Sequence, residues 1–234
     1  MPQLRSLLLL ALIALLAACS PDRAQTIDPP PTGAPTVAQS EQPTTEPTTG
    51  PPADPTATTE SPSTADVDED ALLDALLILD DMPTGWTGTA PEYEMRTPGG
   101  TNSYLCVDDL PARSIANASV DFEKSSFGPF LSHSVTLYPD REAAEAAFED
   151  TLAAVNACPT FTDDAGNTNT ISPLAFPNLG DDTFAVRSSG VVEMDIITIR
   201  IDNALITILQ GGLGAADSTL TETFARAAVE RYGR

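Results

Sequence analysis

The sequence predicts an α+β fold, in which a twisted antiparallel β-sheet packs against flanking α-helices in a single domain after a disordered stalk. Several segments alternate apolar and polar residues with the two-residue period of strands. Other segments repeat apolar residues at helical spacing, and they precede, interrupt and follow the strands. A two-residue turn, Asp202-Asn203, joins the last two strands and makes them antiparallel. The order helix, hairpin, helix, run of strands and helix favours a sheet covered by helices.

The first helix is predicted to start at Asp66 or Asp68, because an aspartate at this position accepts hydrogen bonds from free backbone N–H groups. The leucines between Leu72 and Leu79 form its apolar face. We expect it to end near Asp80-Asp81, because the residue before Pro83 is pushed out of the helical region.

The next elements are an antiparallel hairpin and a second helix. Residues Ser119 to Ser125 and Phe130 to Tyr138 flank Phe127-Gly128-Pro129, and the second segment alternates apolar and polar residues as a strand does. Asp140 then caps a helix with an apolar stripe, which ends before Cys158-Pro159.

The last third of the chain is predicted to contain four strands and a closing helix. The helix opens at Ser218 or Thr219, and Thr219 and Glu222 have the spacing of a capping box. The predicted strands are Ile171 to Phe176, Phe184 to Ser188, Val191 to Ile201 and Ala204 to Gln210.

The N-terminal segment is typical of an export signal. Its apolar core, Leu7 to Leu16, is too short to span a membrane, which needs roughly 20 residues. The ending Leu16-Ala17-Ala18-Cys19 resembles the lipobox of bacterial lipoproteins. That resemblance implies a signal peptide over residues 1–18 and Cys19 as the lipidated, palmitate-bearing residue. The alternatives are an ordinary secretory signal and an uncleaved anchor.

A Pro/Thr-rich segment follows the signal, and residues 19–65 are predicted to form a disordered linker. Between Ser20 and Ala65 there are 11 Pro and 11 Thr and no aromatic residue. Such a segment buries too little apolar surface to offset the entropy of ordering it. It would therefore act as a spacer that holds the domain, residues 66–234, away from the membrane.

The charge of the chain excludes nucleic acids as partners. With 34 acidic against 11 basic residues and a formal net charge of -23, the chain lacks the basic surface that nucleic acids require.

Once Cys19 is assigned to lipid, Cys106 and Cys158 remain as a pair in an exported, oxidising setting, which favours a disulfide. Two buried free thiols are the alternative.

Four fragments resemble the extracellular sensor domain of PknH-type bacterial serine/threonine kinases. They are Met82-Pro83-Thr84-Gly85-Trp86, Tyr138-Pro139-Asp140, Leu179-Gly180-Asp181-Asp182 and Ile197 to Asn203. The resemblance implies an antiparallel sheet with flanking helices, disulfide support, a cleft for an unidentified ligand, and no catalysis. The kinase's own domain carries four cysteines where this domain has two, so its disulfide connectivity is not transferred.

The residues offer little support for catalysis or for a cofactor. His133 is the only histidine, and no nucleophile motif accompanies it, so we interpret it as a packing residue. The loop from Asp163 to Asn169 carries oxygen ligands, but Gly166 is misplaced for a calcium loop, which favours a turn. Gly212 and Gly214 lack the third glycine of a dinucleotide loop. Trp86 is interpreted as a core residue rather than part of a ligand cleft.

These observations predict a lipid-anchored domain on the extracytoplasmic side of the cell membrane, with no catalytic activity, no cofactor and no metal. It would bind a small, apolar or neutral envelope-derived ligand or an envelope protein partner, and the sequence does not assign the ligand-binding residues. The alternative is a structural or protein-interaction module of the cell envelope, and a third hypothesis is a hydrolase. A deep apolar pocket would favour ligand binding over a structural role.

Overall fold

A computed structural model describes residues 67–163 and 166–234. The predicted signal peptide, the predicted lipidation site Cys19 and the predicted linker over residues 19–65 lie outside these residues, as does Asp66. Within the described part of the chain, no helix combines the length and the apolar character needed to cross a membrane.

The described residues form the predicted α+β fold, with three α-helices and eleven strands. The helices are α1 (Glu69–Asp74), α2 (Arg141–Ala157) and α3 (Ser218–Tyr232), and a short 3₁₀ helix spans Leu79–Asp81. The strands are β1 (Thr87–Gly88), β2 (Glu92–Met95), β3 (Thr101–Tyr104), β4 (Val107–Pro111), β5 (Ala116–Glu123), β6 (Phe130–Leu137), β7 (Thr160–Thr162), β8 (Thr168–Pro173), β9 (Asp182–Ser189), β10 (Glu193–Ile201) and β11 (Ala204–Gly212).

Nine strands form one antiparallel sheet in the order β1-β5-β6-β11-β10-β9-β8-β7, with β2 also paired to β5. The remaining two strands, β3 and β4, form a separate hairpin. The predicted hairpin of β5 and β6 is confirmed. The turn Asp202-Asn203 between β10 and β11 is confirmed as well, and Asp202 has the positive φ of 51° that Asp tolerates in such turns.

One face of the sheet packs against α1 and α3. Its core consists of alternate residues of the central strands, such as Val135, Ile197 and Ile206, which are fully buried. Trp86 and Phe224 of α3 meet edge to face with ring centroids 5.5 Å apart. Trp86 is therefore a core residue, as predicted.

The opposite face packs against α2 and, beside it, the β3–β4 hairpin. Phe148 of α2 meets Phe184 of β9 with centroids 5.2 Å apart. Asp140 caps α2 by accepting a hydrogen bond from the N–H of Ala143, as predicted. The central strands therefore carry apolar residues on both faces.

A buried ion pair joins β9 and β10 to the start of α3. Asp195 is fully buried, and its two carboxylate oxygens accept hydrogen bonds from Arg187 at 2.7 and 3.0 Å. Thr221 of α3 also donates to this carboxylate, at 3.2 Å. The pairing compensates the burial of the charge and fixes α3 against the sheet.

One predicted helix end is wrong and one predicted cap does not form, although α3 begins at Ser218 as expected. The first helix begins after Asp68, as expected, but it ends at Asp74 instead of near Asp80-Asp81. It ends early because the N–H of Leu77 donates to His133 of β6, which pulls the chain out of helical geometry. At α3 the cap is Asp217, whose carboxylate accepts from the N–H groups of Thr219 and Leu220, so no capping box of Thr219 and Glu222 forms.

Candidate functional site

The candidate site is a cleft on the sheet face that carries α2. Its floor consists of residues of β5, β6, β10 and β11, one wall is the β3–β4 hairpin, and another wall is α2. The cleft has a volume of about 1130 Å³. Ordinary small-molecule sites have volumes of roughly 300–1,000 Å³, so this cleft is slightly larger than most of them.

A row of three hydroxyl groups crosses the floor. Thr207 of β11 is the direct pairing partner of Ser134 on β6 and of Thr198 on β10. Because neighbouring strands lie about 4.8 Å apart, the three side chains stand in line on one face of the sheet. Within the described residues, none of the three hydroxyls has a hydrogen-bond partner; Ser134 and Thr207 are partly exposed, whereas Thr198 is 3% exposed.

A polar pair extends the floor on the side of β5. The hydroxyl of Thr136 donates to the Oδ1 atom of Asn117 at 2.8 Å. This contact uses the carbonyl oxygen of the amide and leaves its N–H₂ group as a donor toward the cleft.

Two tyrosines contribute to the walls, Tyr104 at the end of β3 and Tyr138 just after β6. Burial raises the pKa of Tyr138 to about 12, with smaller opposing effects from Arg96 and Arg113. Burial also raises the pKa of Tyr104. A phenol is neutral at physiological pH even at its ordinary pKa of about 10, so both side chains can donate as well as accept hydrogen bonds.

The charged residues of the lining are mostly paired. Arg113 forms an ion pair with Asp150 of α2, and Arg96 pairs with Glu94 at 3.0 Å. Asp108 adds a further carboxylate. The lining therefore carries three acidic and two basic side chains, and both arginines are already engaged by carboxylates.

The Cys106–Cys158 disulfide holds the hairpin wall in place, and its presence confirms the predicted bridge. Cys106 lies in the turn between β3 and β4, and Cys158 follows the last residue of α2. The N–H of Cys106 also donates to the Sγ atom of Cys158 at 3.2 Å. The tip of the hairpin, which is not hydrogen-bonded into the large sheet, is thus tied to α2.

His133 lies on the other face of the sheet and takes no part in the cleft. It is fully buried, and its Nδ1 atom accepts the hydrogen bond from Leu77 at 3.0 Å. Burial, followed by repulsion from Arg231, lowers the pKa of His133 to about 3, which Asp81 opposes. His133 is a neutral packing residue, as the sequence predicts.

The other motifs singled out in the sequence have local roles. The carboxylate of Asp163 accepts hydrogen bonds from the backbone and the side chain of Asn167, which is turn chemistry. Gly212 belongs to β11, where it lies against the backbone of Gly128 and Pro129. Neither feature contributes to the cleft.

The cleft is not the deep apolar pocket that would favour ligand binding over a structural role, because its floor is polar. The signal for this floor was present in the alternation of β6, in which Ser132, Ser134 and Thr136 alternate with apolar residues. Such residues are ordinarily assigned to a solvent-facing surface. Here α2 and the β3–β4 hairpin rise around that surface and convert it into a cleft.

Comparison with known proteins identifies the fold. The chain is similar to the extracellular domain of PknH from Mycobacterium tuberculosis, with a TM-score of 0.55 and 12% identity over 72% of this chain and 98% of that chain. It also aligns with an uncharacterized protein from Mycobacterium smegmatis, with a TM-score of 0.46 and 11% identity over 74% and 100% of the two chains. No protein-family model and no curated protein matches the sequence. The predicted resemblance to the PknH extracellular domain is therefore confirmed as a resemblance of fold.

Proposed function

We propose that this protein is a non-catalytic, sensor-like domain that binds a ligand in the cleft on the extracytoplasmic side of the cell membrane. The observation that carries the proposal is the cleft of about 1130 Å³, walled by a hairpin that a disulfide ties to α2. The fold shared with the extracellular domain of a kinase supports the sensor-like role.

The arrangement of ionisable groups supports a binding role over catalysis. The one histidine of the chain is buried on the opposite face of the sheet, and burial keeps it neutral. In the cleft, Asp150 is engaged by Arg113, and within the described residues none of the hydroxyls of Ser134, Thr198 and Thr207 hydrogen-bonds to Asp108, the carboxylate of the lining that has no ion pair. A hydrolase would need a nucleophile and a base within hydrogen-bond reach of each other.

Lipid attachment at Cys19 would place the domain on the membrane surface, with residues 20–65 as a spacer. Two or three acyl chains hold a soluble domain firmly, because each buried methylene contributes about 0.8 kcal/mol. We expect Cys19→Ser to release the domain from the membrane fraction or to leave the precursor unprocessed. Normal maturation and membrane retention of this variant would contradict the anchor.

Ligand binding is tested by native mass spectrometry of the protein purified from its own envelope. We expect a co-purifying mass on the wild-type protein and its loss in Ser134→Tyr, in which a larger side chain fills the floor of the cleft. The matched control is Thr223→Tyr on the exposed side of α3, which leaves the cleft unchanged and retains the mass. An equal mass on all three proteins would show that the cleft is not the binding site.

A protein-interaction module is the second candidate function, and one surface favours it. Phe127 and Leu213 are exposed large apolar residues in neighbouring loops, joined by a hydrogen bond from the N–H of Leu213 to the carbonyl of Phe127. In-cell crosslinking from Phe127 tests this role. A crosslinked envelope protein that Leu213→Ser abolishes would support it, and absence of any crosslink would exclude this surface.

A further inference from the structure

We infer that the cleft binds a neutral, polyhydroxylated ligand, that is, an oligosaccharide, and that Ser134, Thr207 and Thr198 are the residues that recognise it. The inference rests on the proposed function, because it takes the cleft as the ligand site. It adds the chemical class of the ligand, which neither the sequence nor the fold indicates.

The hydroxyl groups on the floor of the cleft have unused hydrogen-bonding capacity. Each hydroxyl of the row offers one donor and two acceptor positions, and none is used within the described residues. A ligand that covers these groups without replacing their water contacts would leave them unsatisfied, at a cost of about 1–3 kcal/mol each. An acyl chain cannot satisfy them. Sugar hydroxyls both donate and accept, so they match the row at every position.

The charge of the lining and of the whole chain favours a neutral ligand. The two arginines of the lining are paired with carboxylates, and the lining has one more acidic than basic side chain. The protein as a whole has a formal net charge of -23. A phosphate or carboxylate ligand would enter against this field and would find no unengaged cation in the lining. A neutral ligand meets neither obstacle.

The walls of the cleft carry amphipathic side chains. Tyr104 and Tyr138 in the lining each combine an apolar ring with a phenol group that is neutral at physiological pH. Such amphipathic side chains suit a ligand that has apolar and hydrogen-bonding parts close together. A sugar ring has this combination, since its C–H groups and its hydroxyls lie on adjacent parts of the ring.

The size of the cleft favours several sugar units over one. Three hydroxyls on neighbouring strands extend over roughly 10 Å, because strands are spaced about 4.8 Å apart. The volume of about 1130 Å³ also exceeds what a single small molecule needs. A short oligosaccharide that lies across the strands would contact the whole row.

The test is an NMR titration of the wild-type domain with four neutral tetrasaccharides, built from glucose, mannose, arabinose or N-acetylglucosamine. We expect saturable shifts with at least one of them, centred on Ser134, Thr198 and Thr207. Ser134→Ala and Thr207→Val remove single hydroxyls, and each weakens the binding of that tetrasaccharide at least about fivefold. The matched control, Thr223→Val on exposed α3, binds as the wild type does. The wild-type shifts remain informative if a floor variant fails to fold.

The outcomes separate this inference from the proposed function. Failure of all four tetrasaccharides to give saturable shifts overturns the oligosaccharide inference. If the mass that co-purifies with the wild type and is lost in Ser134→Tyr is then an acyl lipid or an anion, the proposed function stands alone. A co-purifying mass that Ser134→Tyr leaves in place overturns both, because the cleft is then not the ligand site.

Discussion

His133 makes the stability of the domain depend on pH in a direction that can be worked out from its surroundings. The imidazole is fully buried and accepts a hydrogen bond from Leu77. Burial and the nearby Arg231 lower its pKa to about 3, against 6.5 in the unfolded chain, although Asp81 draws it upward. The unfolded chain therefore binds a proton at pH values where the folded chain does not.

The sign and the magnitude follow from this difference. The contribution of His133 is fully present above pH 6.5, and it is lost as the pH falls from 6.5 toward 3, because protons favour the unfolded state in this range. One pKa unit corresponds to about 1.4 kcal/mol, and the full slope is reached only below pH 6.5, so acidification from about pH 7 to about pH 4.5 removes about 2–3 kcal/mol of unfolding free energy through this residue alone.

The assay is chemical denaturation at about pH 7 and about pH 4.5, for the wild type and for His133→Gln. The glutamine can still accept the hydrogen bond from Leu77 but does not titrate. Because both proteins carry the same carboxylates, the difference between their pH dependences isolates the histidine, and we expect it to be about 2–3 kcal/mol. The imidazole is the only one in the chain, so its NMR signal can be followed without assignment. A folded-state pKa near 6.5, or equal pH dependences, would refute the reasoning.

Three further predictions concern stability, and denaturant unfolding measures each of them. Replacing Cys106 and Cys158 by serine opens a bridge across a separation of 52 residues, and we expect it to lower the unfolding free energy by about 4 kcal/mol; a loss under about 1 kcal/mol would contradict the chain-entropy estimate. Arg187→Met leaves the fully buried carboxylate of Asp195 without its cation and should cost about 3 kcal/mol, so an unchanged stability would show that the pair contributes nothing. Gly180→Ala places a Cβ against the backbone and side chains of β10 and should cost about 1–3 kcal/mol, whereas Gly233→Ala, at a negative φ and with only ordinary van der Waals contacts around the added Cβ, lacks this clash and serves as the comparison for crowding.

The elements that were predictable from the sequence are those in which packing and local preference agree. In β6, Leu131 and Val135 face the core while the serines between them face the other side, so the alternation marks the strand. Helix α2 carries a stripe of alanines and Phe148 behind a capping Asp140. For such elements, local pattern and tertiary contacts demand the same structure.

The elements that were missed lack this agreement. Strands β1 to β4 are two to five residues long and mostly exposed, so no apolar alternation marks them. The first helix was predicted too long because its leucines continue at helical spacing beyond Asp74. A hydrogen bond from Leu77 to His133, 56 residues away, ends that pattern, and only the tertiary structure contains this contact.

The cleft could not be predicted from the sequence, because its floor and its walls come from segments that are distant along the chain. The alternation of polar and apolar residues in the sequence shows that β6 has a polar face. This face becomes part of a cleft only because the β3–β4 hairpin stands over it. Cys106 in the hairpin turn and Cys158 at the end of α2 join these segments covalently. The proposed export of the chain and the proposed ligand site therefore depend on the same bond, since a disulfide of this kind persists in an oxidising compartment and not in a reducing one. A chain retained in the cytoplasm would lose this tether on one wall of the cleft, so the proposed binding site would be complete only in the exported protein.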